Sequence, residues 1–346
     1  MFNLDLVSDG EEVKEIQATQ FGKILHVDSM DFLRSLDDSC VDLVFTSPPY
    51  DILTQKKYGN KQGQVYQDWM LEFGKEFYRV LKETGSLVID LGGGWTQGAP
   101  TKNLYEYRLL LNFVDEIGFH LAQDFFWWDP SRLPTPAQWV NIERVRAKDA
   151  VNKVWWLSKS AKPKADNRRV LQEYSKAMEL TLLKGTNTGK RASGHDVSEK
   201  FHINNGGSIP PNLIAVSNSI SQDSYSEFCK EHGFITHPAR IHSLIPEFFI
   251  RMLTDDGDSV IDPFAGSCVT GAVAERLLRN WVCCDTNEEY LLGALGRFIN
   301  LESDGEKLDK RRDYVITAPN FARHKRPKNV PLALQSQFNL FENEGD

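Results

Sequence analysis

Short apolar runs that are typical of buried strands alternate along this chain with segments of helical spacing. The clearest runs are residues 23–28, 41–45, 85–91, 259–262 and 281–285. Alternation of this kind predicts an α/β fold in which a mostly parallel sheet is covered by helices on both faces. Such sheets bind their ligands beyond the carboxyl ends of the strands, so the residues at those ends are the first candidates for a functional site.

Four polar residues stand at the ends of predicted strands: Asp28, Ser47, Asp262 and Asp285. They are far apart in the chain, but a parallel sheet gathers the carboxyl ends of its strands along one edge. We therefore expect these four side chains to lie near one another. Ser29, directly after the first of them, is the predicted N-cap of a helix that follows.

An unusual corner, Ser47-Pro48-Pro49-Tyr50, follows the strand predicted at residues 41–45. Each proline lacks a backbone N–H and disfavours helical geometry at the residue before it. No helix can start here, which predicts that the carbonyls of Ser47 and Pro48 stay available as hydrogen-bond acceptors. A planar ring with an amino group suits this corner, because the ring can stack on Tyr50 while its N–H bonds point at the oxygens.

A second segment, Asp262-Pro-Phe-Ala-Gly-Ser267, predicts a strand followed by a glycine-containing turn. It matches neither of the glycine patterns that cradle phosphates, so it favours a ligand without phosphates. Gly266 would let the backbone approach that ligand closely, and Phe264 offers an apolar wall. Asp285 ends the next strand about twenty residues later, the separation at which dinucleotide folds place a ribose-binding acid.

Together, residues 42–50 and 258–267 resemble the catalytic and cofactor-binding motifs of DNA amino-methyltransferases. These enzymes transfer a methyl group from S-adenosyl-L-methionine to an exocyclic nitrogen of a base. The order of the motifs, with the catalytic one first, resembles the β class, and pieces of residues 154–159, 206–212 and 237–254 resemble its N4-cytosine branch. The resemblance implies a circularly permuted Rossmann-like methyltransferase fold with a mostly parallel, seven-stranded sheet and an inserted DNA-recognition region.

The resemblance also implies catalytic roles for Ser47, Pro48, Pro49 and Tyr50. The Ser47 hydroxyl and the Pro48 carbonyl would accept the hydrogens of the target amino group, and Tyr50 would stack on the base. Asp51 is a further candidate for removing the proton.

For the cofactor, the resemblance assigns the ribose hydroxyls to Asp285 and places Asp28 near the adenine or the methionine portion. Cys268 departs from the family, which usually has Gly or Asn at this position, so the local turn is expected to differ slightly. The implied cofactor-binding residues are Asp28, Ser29, Thr46, Asp262, Phe264, Ala265, Gly266, Ser267 and Asp285.

An exocyclic amino group is a poor nucleophile because its lone pair is delocalised into the ring. Acceptors aimed at its N–H bonds favour a more nucleophilic nitrogen, and the base must leave the duplex to reach them.

Cytosine N4 is the favoured target because the N4 branch usually has Ser at position 47. Adenine N6 remains an alternative, as does an inactive DNA-binding module. C5 methylation is disfavoured, since it needs a nucleophilic Cys after a Pro and none of the five cysteines follows one.

The composition of the chain changes between residues 160 and 236, where apolar periodicity weakens and Gly, Ser, Asn and Lys accumulate. We interpret this stretch as the target-recognition region. The expected division of the chain is a catalytic half (1–159), a target-recognition region (160–236), a cofactor-binding half (237–318) and a polar tail (319–346).

Basic residues are concentrated locally in a chain whose net charge is −8. Residues 143–176 contain ten basic and four acidic residues, an asymmetry that can steer an anionic polymer to one face. A solvated helical face is the alternative interpretation of this charge. The candidates for contacts with DNA are Arg168, Arg169, Lys184, Lys190 and Arg191.

The expected partner is double-stranded DNA, with a cognate restriction endonuclease as a functional rather than a physical partner. The sequence has no apolar run of membrane-spanning length and no signal pattern. Its cysteines are odd in number and lack metal-ligand spacing, which indicates reduced thiols and no metal site. A cytoplasmic enzyme is therefore expected, whereas its oligomeric state and DNA site do not follow from the sequence.

Overall fold

The computed structural model describes residues 13–51, 61–185, 189–190, 192–194, 196–197, 203–218 and 223–299. Within these residues the central element is a sheet of nine strands, and two further strands form a separate ribbon. The strands are β1 (Lys14–Ala18), β2 (Gly22–His26), β3 (Val41–Thr46), β4 (Leu81–Leu91), β5 (His120–Trp128), β6 (Val151–Ser158), β7 (Gly189–Lys190), β8 (Asp196–Val197), β9 (Leu213–Ala215), β10 (Ser259–Asp262) and β11 (Asn280–Asp285).

Helices connect many of the strands and pack on both faces of the sheet. The longest of them, α2, buries Tyr66, Met70, Phe73 and Phe77, whose spacing places them on one helical face. No helix in the described part of the chain is long and apolar enough to cross a membrane. The helices are α1 (Ser29–Arg34), α2 (Gly63–Val80), α3 (Tyr105–Asn112), α4 (Lys176–Lys184), α5 (Ser224–His232), α6 (Leu244–Leu253), α7 (Val269–Arg276), α8 (Glu288–Ala294) and α9 (Gly296–Ile299), with short π-helical turns at Phe113–Ile117 and Gln138–Ile142 and a 3-10 turn at Asn167–Val170.

The strand order in the sheet is β1-β2-β11-β10-β3-β4-β6-β5-β9. The five strands from β2 to β4 are mutually parallel, and β6 lies antiparallel between β4 and β5. The predicted α/β fold with a mostly parallel sheet is confirmed, but the predicted number of seven strands is wrong, because the described residues form nine. Two short strands at the edges, β1 and β9, account for the difference, since neither has the long apolar run that marks a buried strand.

The sheet separates two hydrophobic cores, and strand β3 shows how one strand serves both. All six of its residues are buried, which explains the apolar run from Leu43 to Phe45. Leu43 and Phe45 belong to the core that contains Phe249 of α6, whereas Val44 belongs to the core that contains Phe77 of α2. Successive side chains of a strand point to opposite faces, so both faces of β3 need a helical cover.

The carboxyl ends of five neighbouring parallel strands form one edge of the sheet. In spatial order, Asp28 follows β2, Asp285 ends β11, Asp262 ends β10, Ser47 follows β3 and Asp90 lies next to the last residue of β4. The first four are the residues that the sequence predicted to meet at this edge.

The region from 160 to 236 contributes to the main sheet as well as to its helical cover. Strand β9 pairs with β5, and the backbone N–H of Asp166 donates to the carbonyl of Met252 in α6 (2.8 Å). The described residues all lie within one compact unit. The proposed division at residues 160 and 237 stays a prediction, and the tail at 319–346 lies outside the described residues.

Candidate active site

A cleft of about 710 Å³ lies at the carboxyl edge of the sheet. The corner after β3 bounds one side, and the segments that follow β2, β10 and β11 bound the other. Thr46 and Asp262, 216 positions apart, join the two sides through a hydrogen bond of 2.8 Å. The predicted residues that line the cleft are Asp28, Ser29, Ser47, Pro48, Pro49, Tyr50, Asp262, Phe264, Ala265, Ser267 and Asp285.

A buried carboxylate, Asp90, organises the corner after β3. The Tyr50 hydroxyl donates to Asp90 Oδ2 at 2.7 Å, and the Ser47 hydroxyl donates to the same oxygen at 3.1 Å. The amide of Asn152 donates to Asp90 Oδ1 at 3.1 Å. Asp90 is only 1% exposed, so these donors replace the water that would otherwise solvate its charge.

Asp90 fixes the hydrogen-bonding role of the Ser47 hydroxyl. A hydroxyl has one hydrogen and two lone pairs. A serine whose hydrogen is donated to Asp90 therefore keeps its lone pairs for hydrogen bonds from other groups. Ser47 lines the cleft, and its oxygen is therefore an acceptor for a ligand N–H. Burial raises the pKa of the Asp90 carboxyl, and the hydrogen bonds that it accepts act against this rise.

The ring of Tyr50 is held at its hydroxyl and along one edge. Its hydroxyl is bound to Asp90, and a Cβ atom at Gly92 would lie 2.6 Å from Tyr50 Cε2. Burial raises the pKa of Tyr50 well above its usual value, so the phenol is neutral. A neutral, fixed aromatic ring beside the cleft can serve as a stacking surface for a planar ligand.

On the opposite side of the cleft, Asp262 connects three segments of the chain. It accepts hydrogen bonds from the hydroxyls of Thr46 (2.8 Å) and Thr270 (2.6 Å) and from the backbone N–H of Phe264 (3.2 Å). Thr46 itself is fully buried behind the cleft and supports Asp262. Burial raises the pKa of Asp262 to about 6, although its three hydrogen bonds favour the ionised form.

We expect Asp262→Asn to change how stability depends on pH. The native pKa of about 6 lies above the ordinary value, so the native state holds this proton more tightly than the unfolded chain does. The free energy of unfolding should therefore fall as pH rises from about 4 to 7, by up to roughly 3 kcal/mol from this group. Urea denaturation of both proteins at pH 5 and pH 7.5 measures the effect. Identical changes in wild type and variant would contradict it.

Asp285 organises the glycine turn that follows β10. Its Oδ2 accepts from the backbone N–H of Gly266 at 2.8 Å, and its Oδ1 accepts from the backbone N–H of Asn287 at 2.9 Å. Burial raises its pKa. Gly266 has φ of +50°, and a Cβ there would lie 2.9 Å from Nε2 of His237, so this position requires glycine.

Asp28 and Ser29 have roles at the start of α1 that differ from the prediction. Asp28, not Ser29, is the N-cap, because its carboxylate accepts from the backbone N–H groups of Met30 (2.8 Å) and Asp31 (3.3 Å). The Ser29 hydroxyl instead donates to the carbonyl of Pro263. This bond ties α1 to the segment after β10, and the prediction of Ser29 as the cap was wrong.

An aromatic wall beside Phe264 was not predicted from the sequence. Trp69 and Phe73 of α2 contact Phe264, with ring centroids 5.7 and 4.9 Å from its own, and all three line the cleft. Trp69 and Phe73 lie four positions apart on one side of α2, and local sequence gives no reason to associate that side with a segment nearly 200 residues away. The wall gives this side of the cleft an apolar surface that suits an aromatic ligand ring.

The structure does not bring Arg168 and Arg169 to the cleft. Arg168 pairs with Asp166 at 2.7 Å, and Arg169 pairs with Asp255. Asp255 precedes β10, so this cluster lies at the amino edge of the sheet, opposite the cleft. Lys184 ends α4. Arg191 and the side chain of Lys190 lie outside the described residues.

Asp51, the candidate for proton removal, is buried next to the corner. Its Oδ2 accepts from the backbone N–H of Gly63 at 3.0 Å, and burial raises its pKa. Among the described residues, those that line the cleft do not include Asp51. Asp90 and Asn152, which the prediction missed, contact the corner instead. Asp90 was accessible to the same reasoning, since it lies at the end of a predicted strand.

Residues 41–295 match the model of a protein family described as DNA methylase. The chain is 43% identical over 311 residues to "Type II methyltransferase M.PvuII" of Proteus hauseri, which covers 89% of this chain and 92% of the relative. It is 24% identical over 294 residues to "DNA adenine methyltransferase YhdJ" of Escherichia coli (strain K12), covering 81% and 85%.

The fold is similar to that of a solved structure, "PvuII DNA methyltransferase (cytosine-N4-specific)". The TM-score is 0.67 and the identity is 38%, with 86% of this chain and 94% of the other covered. The family match extends over most of the chain and includes both motifs that line the cleft. As the motifs predicted, the chain belongs to the DNA methylase family.

Proposed function

We propose that this protein transfers a methyl group from S-adenosyl-L-methionine to the exocyclic N4 of a cytosine flipped out of duplex DNA. The observation that carries this proposal is the single cleft lined both by the Ser47-to-Tyr50 corner and by the Asp262-to-Ser267 segment. The similar solved structure, at 38% identity, is named as cytosine-N4-specific, and this supports the choice of base.

The cofactor side of the cleft fits S-adenosyl-L-methionine. Carboxylates at three strand ends, Asp28, Asp262 and Asp285, suit hydroxyl and cationic groups, while Phe264 offers an apolar face. Gly266 keeps the turn free of a side chain. When bound, this cofactor supplies an electrophilic methyl group on a sulfonium. We assign the ribose hydroxyls to Asp285.

The corner supplies what an amino nucleophile needs. The Ser47 oxygen and the Pro48 carbonyl each accept a hydrogen bond from an N–H group of the target amino group. Tyr50 holds the base by stacking. After methylation the nitrogen carries an extra proton. Ser47 can take that proton while its own hydroxyl proton passes to Asp90, which leaves a neutral methylated base. A buried carboxylate with a raised pKa suits this acceptor role.

Adenine N6 remains the alternative target, and an inactive DNA-binding module is the alternative from another class. The 24% identical relative named as an adenine methyltransferase has the same family fold, so the fold does not decide the base. The complete hydrogen-bond network around Ser47, Tyr50 and Asp90 favours an active enzyme.

The direct test is to incubate the protein with labelled S-adenosyl-L-methionine and unmethylated plasmid DNA and to identify the modified nucleoside. Chromatography before mass spectrometry is needed, because N4-methylcytosine and 5-methylcytosine have equal mass. We expect N4-methylcytosine from the wild type and none from Ser47→Ala. N6-methyladenine would overturn the choice of base, and unlabelled DNA would overturn the enzymatic proposal.

Replacement of Tyr50 by Ala is expected to reduce methyl transfer by removing the stacking surface. Base–aromatic stacking contributes about 1–3 kcal/mol. The free energy of the transition state should rise by that amount, and kcat/KM should fall accordingly. Tyr50→Phe is the matched control, because it keeps the ring and removes only the hydroxyl bound to Asp90. Single-turnover kinetics would measure both. An unchanged rate in Tyr50→Ala would show that the target base lies elsewhere.

DNA recognition is proposed for the region from 160 to 236, with Lys184, Lys190 and Arg191 as candidate contacts. The pairing of Arg168 and Arg169 with acids at the opposite edge of the sheet does not favour the same role for them.

We also propose that the protein protects DNA against a cognate restriction endonuclease. Its similarity to a type II methyltransferase supports this functional partnership.

A further inference from the structure

We propose that Arg132 and Asn152 are positioning residues for methyl transfer, which hold Asp90 and, through it, the Ser47 hydroxyl in the geometry that accepts the target amino group. The inference rests on the proposed function and extends it to two side chains outside both motifs. Neither residue is among those that line the cleft, so each acts through Asp90 and not on the substrate.

Asn152 lies near the start of β6, at the edge of the sheet where the parallel strands end. It is the second residue of β6, which runs antiparallel to β4. Its Nδ2 donates to Asp90 Oδ1 at 3.1 Å and lies 3.4 Å from the Tyr50 hydroxyl. The side chain is 2% exposed, so it is held away from water beside the corner.

Arg132 determines which end of the Asn152 amide faces Asp90. Its Nη1 donates to Asn152 Oδ1 at 2.8 Å. A guanidinium can only donate, so the carbonyl end of the amide must face Arg132 and the NH₂ end must face the carboxylate. Without the guanidinium, the amide could turn its oxygen toward Asp90 and repel the charge that it now stabilises.

The loop between β5 and β6, residues 129–150, holds Arg132 in place. The loop is closed at its base by the backbone N–H of Asp129, which donates to the carbonyl of Ala150 at 2.9 Å. The Lys148 ammonium donates to the carbonyl of Arg132 at 2.9 Å. These bonds hold the backbone that carries the guanidinium, and the guanidinium itself is held by its bond to Asn152.

The charge of Arg132 also affects the proton affinity of the corner. It lowers the pKa of both Asp90 and Tyr50, against the rise caused by burial. Among the residues that the structure describes, the titratable and charged groups that act on Asp90 include Tyr50 from the corner, Tyr105 from α3 and Arg132 from the β5–β6 loop. Loss of the guanidinium should raise the pKa of Asp90, so the carboxylate would be protonated at a higher pH.

Arg132→Gln and Asn152→Leu test the proposal in single-turnover methylation of duplex DNA. Hydrogen bonds to charged groups predict that each lowers the rate about 10- to 100-fold, with affinity for S-adenosyl-L-methionine unchanged. In the pH profile, the acidic limb of Arg132→Gln should move to higher pH, and Arg132→Lys should restore part of the shift. Arg146→Gln is the matched control, because Arg146 lies on the same loop but pairs with Asp149 at 2.9 Å.

Wild-type rates and an unmoved acidic limb in Arg132→Gln would overturn the inference, as would an equal loss in Arg146→Gln. If either variant fails to fold, Asn152→Asp decides, since it keeps the shape but places a second carboxyl against Asp90. We expect this variant to be slow and to gain rate as pH falls; wild-type behaviour would contradict the proposal. A wild type that methylates no DNA would instead refute the proposed function.

Discussion

Asp90→Asn is expected to lower the rate of methyl transfer about 100- to 1,000-fold, the usual effect of removing a preorganised electrostatic group from an active site. The variant keeps the shape of the side chain but loses the charge that fixes the Ser47 hydroxyl as an acceptor and that takes up the released proton. Affinity for S-adenosyl-L-methionine should not change, because Asp90 lies behind the corner and does not line the cleft. Single-turnover kinetics and calorimetry measure the two quantities.

Asp42→Asn is a matched control for this prediction. Asp42 is also a buried carboxylate, on the adjacent strand β3, but it binds Lys82 (2.7 Å) and the Ser259 backbone N–H (2.9 Å) at the amino edge of the sheet. Its replacement should affect stability and leave the rate per folded molecule near that of the wild type. Equal losses of rate in both variants would mean that Asp90 acts through general stability and not at the corner.

Asp285→Ala is expected to weaken the binding of S-adenosyl-L-methionine about 10- to 100-fold, since hydrogen bonds to a carboxylate contribute about 1.5–3 kcal/mol. Two effects combine: the variant loses the proposed acceptor of the ribose hydroxyls, and it loses the oxygen that accepts from the Gly266 N–H. Duplex DNA binding in the absence of cofactor should change little. Isothermal calorimetry for the cofactor and fluorescence anisotropy for DNA provide the comparison.

Two further variants identify the source of the loss at Asp285. Asp285→Asn keeps an oxygen for the Gly266 N–H and should lose less affinity than the alanine variant. Asp258→Asn removes a carboxylate at the amino end of β10, where it pairs with Lys164, and should leave cofactor binding intact. Equal losses of cofactor and DNA affinity in Asp285→Ala would contradict the ribose assignment.

The sequence predicted which residues meet at the edge of the candidate site because of a property of parallel sheets. Asp28, Asp262 and Asp285 each stand where an apolar run stops, and their strands are neighbours in the sheet. A residue at such a position can be assigned to the carboxyl edge without knowledge of the strand order. The same property applies to Asp90, whose strand β4 follows β3 in the sheet.

Asn152 could not be found in this way, because it lies near the start of its strand. Since β6 runs antiparallel to β4, its first residues lie at the edge where the parallel strands end. The direction of a strand depends on its pairing partners, which local sequence does not reveal. Arg132 is harder still, since it reaches the site only because the β5–β6 loop closes on itself.

The basic run shows a different limit of local sequence, and its contact with DNA stays a prediction. Arg168 and Arg169 belong to a stretch with a clear excess of positive charge, which favoured a DNA-binding face. In the folded chain, Arg169 meets Asp255, more than 80 positions away, and Lys164 meets Asp258. Local charge counts cannot include such partners, so a basic run in sequence does not establish a basic surface.

The crystal structure of a ternary complex with S-adenosylhomocysteine and a cognate duplex is the most direct test of how the two motifs work together. We expect an extruded cytosine whose N4 lies about 3 Å from the Ser47 hydroxyl and the Pro48 carbonyl, with its ring against Tyr50 and the sulfur on the side of Asp262. A target base that stays stacked in the duplex, or one whose amino group faces away from Ser47, would contradict the account.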